Sequence, residues 1–239
     1  MDPPPATVIS PGQPLLDADT LHRLGHDLRA SLRAIDQLPL WIAEDLEEAG
    51  HPPPDTVATA LALIRRHGHR MELILDGWLQ LALAGRDPPE AVPLGDALAQ
   101  ALAAEPLPEA TRLRTRLGGH AVTMARADAV RAFRVVLANA VQHRTGPGVI
   151  RILATARGDR VEVAVIDDGP GIPAARRAEL CRPMTRMRAQ DEQDGAGMGL
   201  AVLSRIVDLW GGRLDIGAPS NPARTGTIIR LSLPRADPG

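Results

Sequence analysis

A histidine followed by an aspartate, His26-Asp27, lies in a helix-like stretch of this 239-residue chain. Counted along the apolar repeat with Leu21 as position a, His26 falls at position f, on the side away from a partner helix. A carboxylate beside an exposed imidazole can bond one ring nitrogen, which fixes the tautomer and leaves the other lone pair free to attack. Because most solvent-facing histidines do no chemistry, the pair predicts a nucleophile only together with other motifs.

Two glycine-rich segments and a helical asparagine have the chemistry of a nucleotide site. The segment DDGPGIP, residues 167–173, follows a predicted strand, and Asp167 at its end can accept a hydrogen bond from an amino group such as that of adenine. In DGAGMGLAV, residues 194–202, glycines open a helix whose free N–H groups and dipole suit phosphate. Asn139 and His143 lie one helical turn apart, and an amide oxygen suits Mg²⁺.

The histidine lies in the first of two predicted amphipathic helices. Apolar residues recur in steps of three and four over residues 17–49 and again from residue 55, with HPPPD as the turn between them. Pro39 lies inside the first helix, where the missing hydrogen bond predicts a kink. One hairpin leaves its apolar seam half uncovered, and pairing two hairpins into a four-helix bundle would bury it. We therefore expect a homodimer through residues 17–85.

After a linker at 86–93 the pattern changes to short strands alternating with helices. Helices are predicted at 94–104, 126–143 and 199–210, and strands at 111–117, 120–124, 149–156, 160–167, 212–216 and 227–234. Residues 168–197 form a long polar segment, and a loop of that length is usually functional or disordered. The prediction is an α+β chain, with a flexible Pro-rich lead-in at 1–16, a helical hairpin, and a second domain at 94–235.

The composition argues against several other classes of protein. A net charge of −2 and an aromatic content of 2% do not favour binding of nucleic acid. The single cysteine, Cys181, excludes an internal disulfide framework and favours a reducing compartment. No apolar run approaches the ~18–20 residues that a membrane helix needs. We expect a cytoplasmic protein without membrane insertion.

The order of these motifs along the chain resembles that of the bacterial sensor histidine kinases. HDLRASL resembles the phosphoacceptor box, VLANAVQH the N box, DDGPG and GAGMGLAV the two glycine boxes, and TGTIIRLSLP the closing segment. ELCRPMTRM stands where the family has its Phe-containing box. The resemblance covers about residues 18–234. It implies a HisKA-like dimerisation and phosphotransfer domain followed by an α/β sandwich of the Bergerat type, as in histidine kinases and gyrase-like ATPases.

The resemblance also implies roles for individual residues. His26 would accept the phosphoryl group of Mg²⁺-ATP and pass it to an aspartate of a response regulator, with Asp27 as its acidic neighbour. Asn139 would hold Mg²⁺, and Asp167 would bind the adenine amino group. The other residues implied at the ATP site are His143, Arg144, Gly169, Gly171, Ile172, Gly195, Gly197, Gly199, Leu200 and Thr227. The signal would then come from a separate sensory protein, or the chain is the kinase core of a larger system whose input the sequence does not identify.

Several positions depart from the family's usual pattern. Ser31 stands where the family usually has a proline, Gln142 where a basic residue is common, and Met184 where an aromatic is common. Val135 replaces the first asparagine of the N box and occupies the position where related ATPases carry a water-activating glutamate, which predicts poor hydrolysis. Ala30 cannot hold a water molecule for attack on a phosphoaspartate. We expect a kinase-biased enzyme with weak phosphatase activity.

Two other functions stay open on the sequence. The chain could be a phosphotransfer or sequestering scaffold with a degenerate ATP domain, although both glycine segments and Asn139 are present. It could also be an anti-sigma-type Ser/Thr kinase with the same ATP fold, which would give no reason for the hairpin or for His26-Asp27.

Overall fold

The computed structural model describes residues 18–142, 146–185, 196–219 and 225–236. The chain divides into two compact units, residues 1–68 and 69–239, and the boundary falls inside the second long helix. The sequence places its division further along, at the 86–93 linker, and that assignment stays a prediction. The proposed lead-in at 1–16 lies outside the described residues. Within those ranges no helix combines the length and apolarity that crossing a bilayer requires.

Two long helices form the N-terminal part of the chain, as the apolar repeat predicts. Helix α1 spans Ala18–Glu48 and helix α2 spans Asp55–Leu83. Gly50 makes the turn after α1 with φ of +76°, a conformation that costs glycine little. Pro39 lies inside α1, which is one continuous helix across it, and the kink expected there stays a prediction.

The apolar seam of α1 is half exposed within one chain. Leu28, Ile35 and Ile42 are 42%, 38% and 46% exposed, and Ile64 of α2 is 46% exposed. Gly25 and Pro39, which lie beside the predicted seam, are the buried positions of α1 among its described side chains. A helix in a four-helix bundle has two neighbours, so its buried stripe is wider than one line of residues. The exposed seam is therefore the apolar surface that contacts within a single hairpin leave open to solvent.

A five-stranded mixed sheet forms the base of the second unit. Its strand order is β2-β4-β5-β7-β6; β2 and β4 run parallel and every other neighbouring pair is antiparallel. A separate antiparallel pair joins β1 to β3. The strands are β1 Glu90–Pro93, β2 Thr111–Arg116, β3 Ala121–Met124, β4 Gly148–Arg157, β5 Arg160–Ile166, β6 Arg213–Gly217 and β7 Ile228–Pro234.

Besides the last turns of α2, the described residues of this unit form four helices: α3 Leu94–Ala104, α4 Arg126–Gln142, α5 Ala174–Leu180 and α6 Gly199–Leu209. The core lies between the apolar sides of the helices and one face of the sheet, where alternate residues of β5, including Val161 and Val163, are buried. Ile206 of α6 and Val136 of α4 belong to the same core and are 0% and 1% exposed. These layers confirm the predicted α+β class.

Two short elements were missing from the sequence prediction. Strand β1 lies inside the proposed linker, where Val92 is fully buried and pairs with Val122. Its single buried apolar residue, next to a proline, gives too little alternation to predict a strand. Helix α5 lies inside the proposed long loop and starts directly after Pro173. It has seven residues and buries only Leu180, so it shows no apolar period.

Candidate functional site

His26 lies on α1 in the first compact unit, with an exposed imidazole. Its side chain is 71% exposed and that of Asp27 is 81% exposed. The Nδ1 atom of His26 lies 3.4 Å from Oδ1 of Asp27, a long contact that orients the ring weakly in water. The hydroxyl of Ser31, at the position where a proline was expected, donates to the carbonyl oxygen of Asp27 at 3.1 Å. The geometry agrees with an accessible nucleophile whose ring has an acidic neighbour.

A cavity of about 450 Å³ lies in the second unit, within the size range of small-molecule sites. Its walls come from the last turns of α2, the C-terminal half of α4, the segment after β5, the start of α6, and Thr227 before β7. Nine of the residues implied at the ATP site line this one cavity: Asn139, Asp167, Gly169, Gly171, Ile172, Gly197, Gly199, Leu200 and Thr227.

Asp167 is a buried carboxylate at the end of the strand, 8% exposed. Its Oδ1 accepts hydrogen bonds from the backbone N–H groups of Gly169 at 2.9 Å and Thr227 at 3.0 Å. Burial raises the pKa of Asp167 above its ordinary value, and the hydrogen bonds from Gly169 and Thr227 only partly oppose that rise. The carboxylate is therefore fixed in place and poorly solvated, which strengthens a polar contact made to it.

Glycines let two backbone segments meet beside this carboxylate. Gly226 has φ of +135°, and a Cβ atom there would lie 2.1 Å from the carbonyl oxygen of Asp167. A Cβ on Gly171, where φ is +82°, would lie 2.9 Å from the carbonyl oxygen of Gly226. Both positions therefore exclude any side chain. Gly226 is not among the residues predicted at the site, although its place in the TGT of the closing segment is a usable signal.

The second glycine segment leads into α6 at the edge of the cavity. Gly197 has φ of +68°, and a Cβ there would lie 2.4 Å from the carbonyl oxygen of Thr185. Met198, the N-cap residue of α6, makes no side-chain cap hydrogen bond to the helix. The first N–H groups of α6 therefore have no side-chain cap, beside a cavity that Gly199 and Leu200 line. Gly195 lies outside the described residues.

Helix α4 contributes Asn139 to the cavity wall, one turn beyond Val135. Val135 is 9% exposed, and its Cγ1 lies 3.5 Å from where a Cβ on Gly199 would stand. An apolar side chain therefore fills the position where related ATPases carry a carboxylate. His143 and Arg144, the other residues predicted on this helix face, lie outside the described residues.

The last turns of α2 also line the cavity, which the sequence did not predict. Leu73, Asp76, Gly77 and Gln80 are part of its wall. A Cβ on Gly77 would lie 2.4 Å from Cβ of Met198, so only glycine allows this approach. The available signal was the glycine itself, which costs roughly 0.5–1 kcal/mol inside a helix and therefore indicates a close contact.

The side chains around the cavity fit a divalent cation that is coordinated mainly by a bound small molecule and water, with few ligands from the protein. In the described part of the chain, no group of three or more His, Cys, Asp or Glu side chains could hold a metal ion. Mg²⁺ typically takes one or two protein oxygens together with phosphate oxygens and water. The amide oxygen of Asn139 on the cavity wall suits that role.

A family model described as "Histidine kinase-, DNA gyrase B-, and HSP90-like ATPase" matches residues 125–237. The sensor histidine kinase ZraS of Klebsiella oxytoca is 30% identical over 88% of this chain and 44% of its own length. The probable sensor histidine kinase TcrY of Mycobacterium tuberculosis is 32% identical over 90% of this chain and 45% of its own length. The chain spans about half the length of these curated relatives.

Solved structures have the same fold. Full-length ShkA in complex with AMPPNP superposes with a TM-score of 0.60 at 21% identity, over 92% of this chain and 46% of that chain. The mycobacterial sensor histidine kinase MprB gives a TM-score of 0.55 at 23% identity, over 62% of this chain and 97% of that chain. Sequence relatives and the matched domain lead to one family, and the chain belongs to the bacterial sensor histidine kinases, with a Bergerat-type ATPase domain at residues 125–237.

Proposed function

We propose that this chain is a protein-histidine kinase of a two-component system, which binds Mg²⁺-ATP in the cavity and phosphorylates His26. The observation that carries the proposal is the gathering of nine motif residues, from separate parts of the sequence, around one cavity. The exposed imidazole of His26 on the same polypeptide supplies the acceptor. A scaffold with a degenerate ATP domain would have no reason to keep that cavity lining.

The cavity has a place for each part of the nucleotide. The carboxylate of Asp167 accepts a hydrogen bond from the adenine amino group, and Ile172 and Leu200 supply apolar contact. The N–H groups that open α6, which have no side-chain cap, suit the phosphates. Asn139 holds Mg²⁺, which when bound neutralises phosphate charge.

The reaction follows from an in-line attack on ATP. The lone pair on Nε2 of His26 attacks the γ-phosphorus, a nitrogen–phosphorus bond forms, and the bond from that phosphorus to the bridging oxygen of ADP breaks. Asp27, beside Nδ1, stabilises the proton that this nitrogen carries. In the second step an aspartate oxygen of a response regulator attacks the same phosphorus, and the nitrogen–phosphorus bond breaks.

Two side chains favour net kinase activity. Val135 fills the place of a water-activating carboxylate, so ATP is consumed mainly by transfer to His26. Ala30 has no polar group that could hold a water molecule for hydrolysis of a phosphoaspartate. We infer weak phosphatase activity from these two positions.

The partners follow from the exposed surfaces of the hairpin. The half-exposed seam of α1 and α2 favours a homodimer through residues 17–85. The response regulator would dock on the hairpin near His26.

Incubation with γ-³²P-ATP tests the proposal. The wild-type chain and a His51→Ala control should take up label that is lost in acid and kept in alkali, as a phosphoramidate is. His26→Ala should take up none. Acid-stable label would favour a Ser/Thr kinase, and calorimetry that detects no nucleotide binding would favour the scaffold.

A further inference from the structure

A buried carboxylate outside the cavity joins three elements of the second unit. Asp128 lies in the first turn of α4 and is 1% exposed. Its Oδ2 accepts hydrogen bonds from the backbone N–H of Gly85 and from Nε1–H of Trp210, both at 2.8 Å. Its Oδ1 pairs with the guanidinium of Arg131, one turn further along α4. We call Asp128, Gly85, Trp210 and Arg131 the Asp128 junction.

The donors come from different elements, and their backbone positions are tightly defined. Gly85 lies two residues after the end of α2, with φ of +73°. A Cβ at Gly85 would lie 3.0 Å from Cδ1 of Leu209, the last residue of α6. Trp210 follows Leu209 directly. The segment that follows α2 therefore packs against the end of α6. One carboxylate oxygen of Asp128 accepts a hydrogen bond from each of them.

Burial of this charge is costly unless it is fully paired. An isolated carboxylate in an apolar interior is strongly disfavoured, and a buried ion pair is often no more stable than apolar packing. One backbone amide, one indole N–H and a guanidinium compensate Asp128 in this case. A charge held at such a point specifies one arrangement of the three elements, because any other arrangement leaves the carboxylate without its donors.

The same three elements form walls of the cavity at a distance from the junction. Helix α4 runs from Asp128 to Asn139, eleven residues and roughly 16 Å along the axis. Helix α6 runs from the cavity residue Gly199 to Leu209, directly before Trp210, and α2 contributes Gln80, five residues before Gly85. None of the four junction residues, all of which the structure describes, lines the cavity itself.

We propose that Asp128 is a positioning residue, which locks the end of α2 to α4 and α6 and so fixes the cavity walls for phosphoryl transfer. This inference rests on the proposed function. Loosening the junction should slow the transfer step and leave nucleotide binding intact, because no junction atom reaches the nucleotide. The effect should therefore fall on kcat, with little change in KM or in the dissociation constant for ADP.

Two variants separate the junction from general stability. Trp210→Phe removes one donor and keeps an aromatic ring, and Asp128→Asn removes the charge. Val136→Ala is the control, because it removes core packing from the same helix and leaves the junction untouched. We expect the two junction variants to label His26 about tenfold more slowly at saturating ATP. Their ADP affinity should stay within about twofold of the wild type.

Hydrogen exchange gives a readout that does not depend on activity. The Gly85 amide should exchange at least about tenfold faster in both junction variants, and at the wild-type rate in Val136→Ala. Wild-type labelling rates in both variants would overturn the inference. The inference would also be overturned if both junction variants lost labelling rate and ADP affinity in proportion to their drop in melting temperature, as Val136→Ala does. If the wild-type chain leaves His26 unlabelled, the proposed function fails, and the inference fails with it.

Discussion

At the scale of single residues, the carboxylate of Asp167 is the group proposed to bind the adenine base. Two backbone amides hold Oδ1, and the surrounding residues exclude most water. Burial disfavours the ionised form, and the two amides favour it, with burial the larger effect. Two properties of the Asp167 side chain can therefore be measured. One is its shifted titration, and the other is the hydrogen bond that it is proposed to make to adenine.

The shifted titration predicts the sign of a pH effect on stability. The pKa of Asp167 is raised in the folded chain above its ordinary value of 3.8, so folding favours the protonated form. Its contribution to stability is complete below the unfolded pKa and is lost as pH rises through the raised folded pKa. Chemical denaturation across that window should show this loss in the wild type and not in Asp167→Asn. A gain with rising pH would contradict the assignment.

The selective hydrogen bond predicts an effect on nucleotide affinity. Asp167→Asn replaces an acceptor with an amide, and the loss of a hydrogen bond to a charged group weakens ADP binding by roughly ten- to a hundredfold. The neighbouring Asp168 is the matched control, because its Oδ2 accepts from the N–H of Val149 at 2.9 Å and it is not part of the cavity lining. Isothermal titration should find Asp168→Asn within about threefold of the wild type. Equal losses in both variants would mean that Asp167 does not bind the base.

At the scale of elements, Gly77 of α2, which faces Met198, differs in its surroundings from Gly68 of the same helix. Gly77 leaves no room for a Cβ, since the Cβ of Met198 would lie 2.4 Å away. Gly68 has its nearest such atom, Cγ2 of Ile35, at 3.4 Å. One helix therefore offers a close-contact site and a matched site with ordinary packing.

Alanine at these two glycines should change stability in opposite directions. Gly68→Ala gains helix propensity and should be neutral or stabilising by up to ~1 kcal/mol. Gly77→Ala gains the same propensity but collides with atoms next to the backbone, and should cost about 1–3 kcal/mol. Urea unfolding monitored by circular dichroism measures both. A stable Gly77→Ala variant with unchanged ADP affinity would show that this contact is dispensable.

The sequence predicts those elements whose apolar residues repeat clearly. The steps of three and four in α1 and α2, and the alternation of Val161, Val163 and Val165, mark helices and a strand directly. Strand β1 and helix α5 are too short and polar for either pattern. The contribution of α2 to the cavity depends on packing between distant segments. The same holds for the Asp128 junction, because neither Gly85 nor Trp210 lies near Asp128 in sequence.

At the scale of the whole molecule, the seam of the hairpin leaves a row of large apolar side chains exposed in the single chain. Leu24, Leu38 and Met71 are each close to half exposed, at 46%, 49% and 46%. Exposed apolar side chains at regular helical spacing are typical of an interface. Its regular spacing fits a second copy of the same stripe, because identical helices interlock with matching steps.

A charge placed in the seam should therefore separate the proposed dimer. Ile35→Glu would bury a carboxylate at the centre of the bundle and should give monomers at micromolar concentration. Gln37→Glu introduces the same side chain two residues away, at an exposed position outside the seam, and should stay dimeric. Sedimentation equilibrium distinguishes the two. A dimeric Ile35→Glu chain would place the interface elsewhere.

An interface supplied by a second copy makes folding a bimolecular event. The melting temperature of the hairpin should then rise with protein concentration, because association removes only the folded form from the unfolding equilibrium. Copy number in the cell would accordingly set what fraction of the polypeptide is assembled. In the proposed dimer, a change in gene dosage would therefore change the stability of the hairpin as well as its amount.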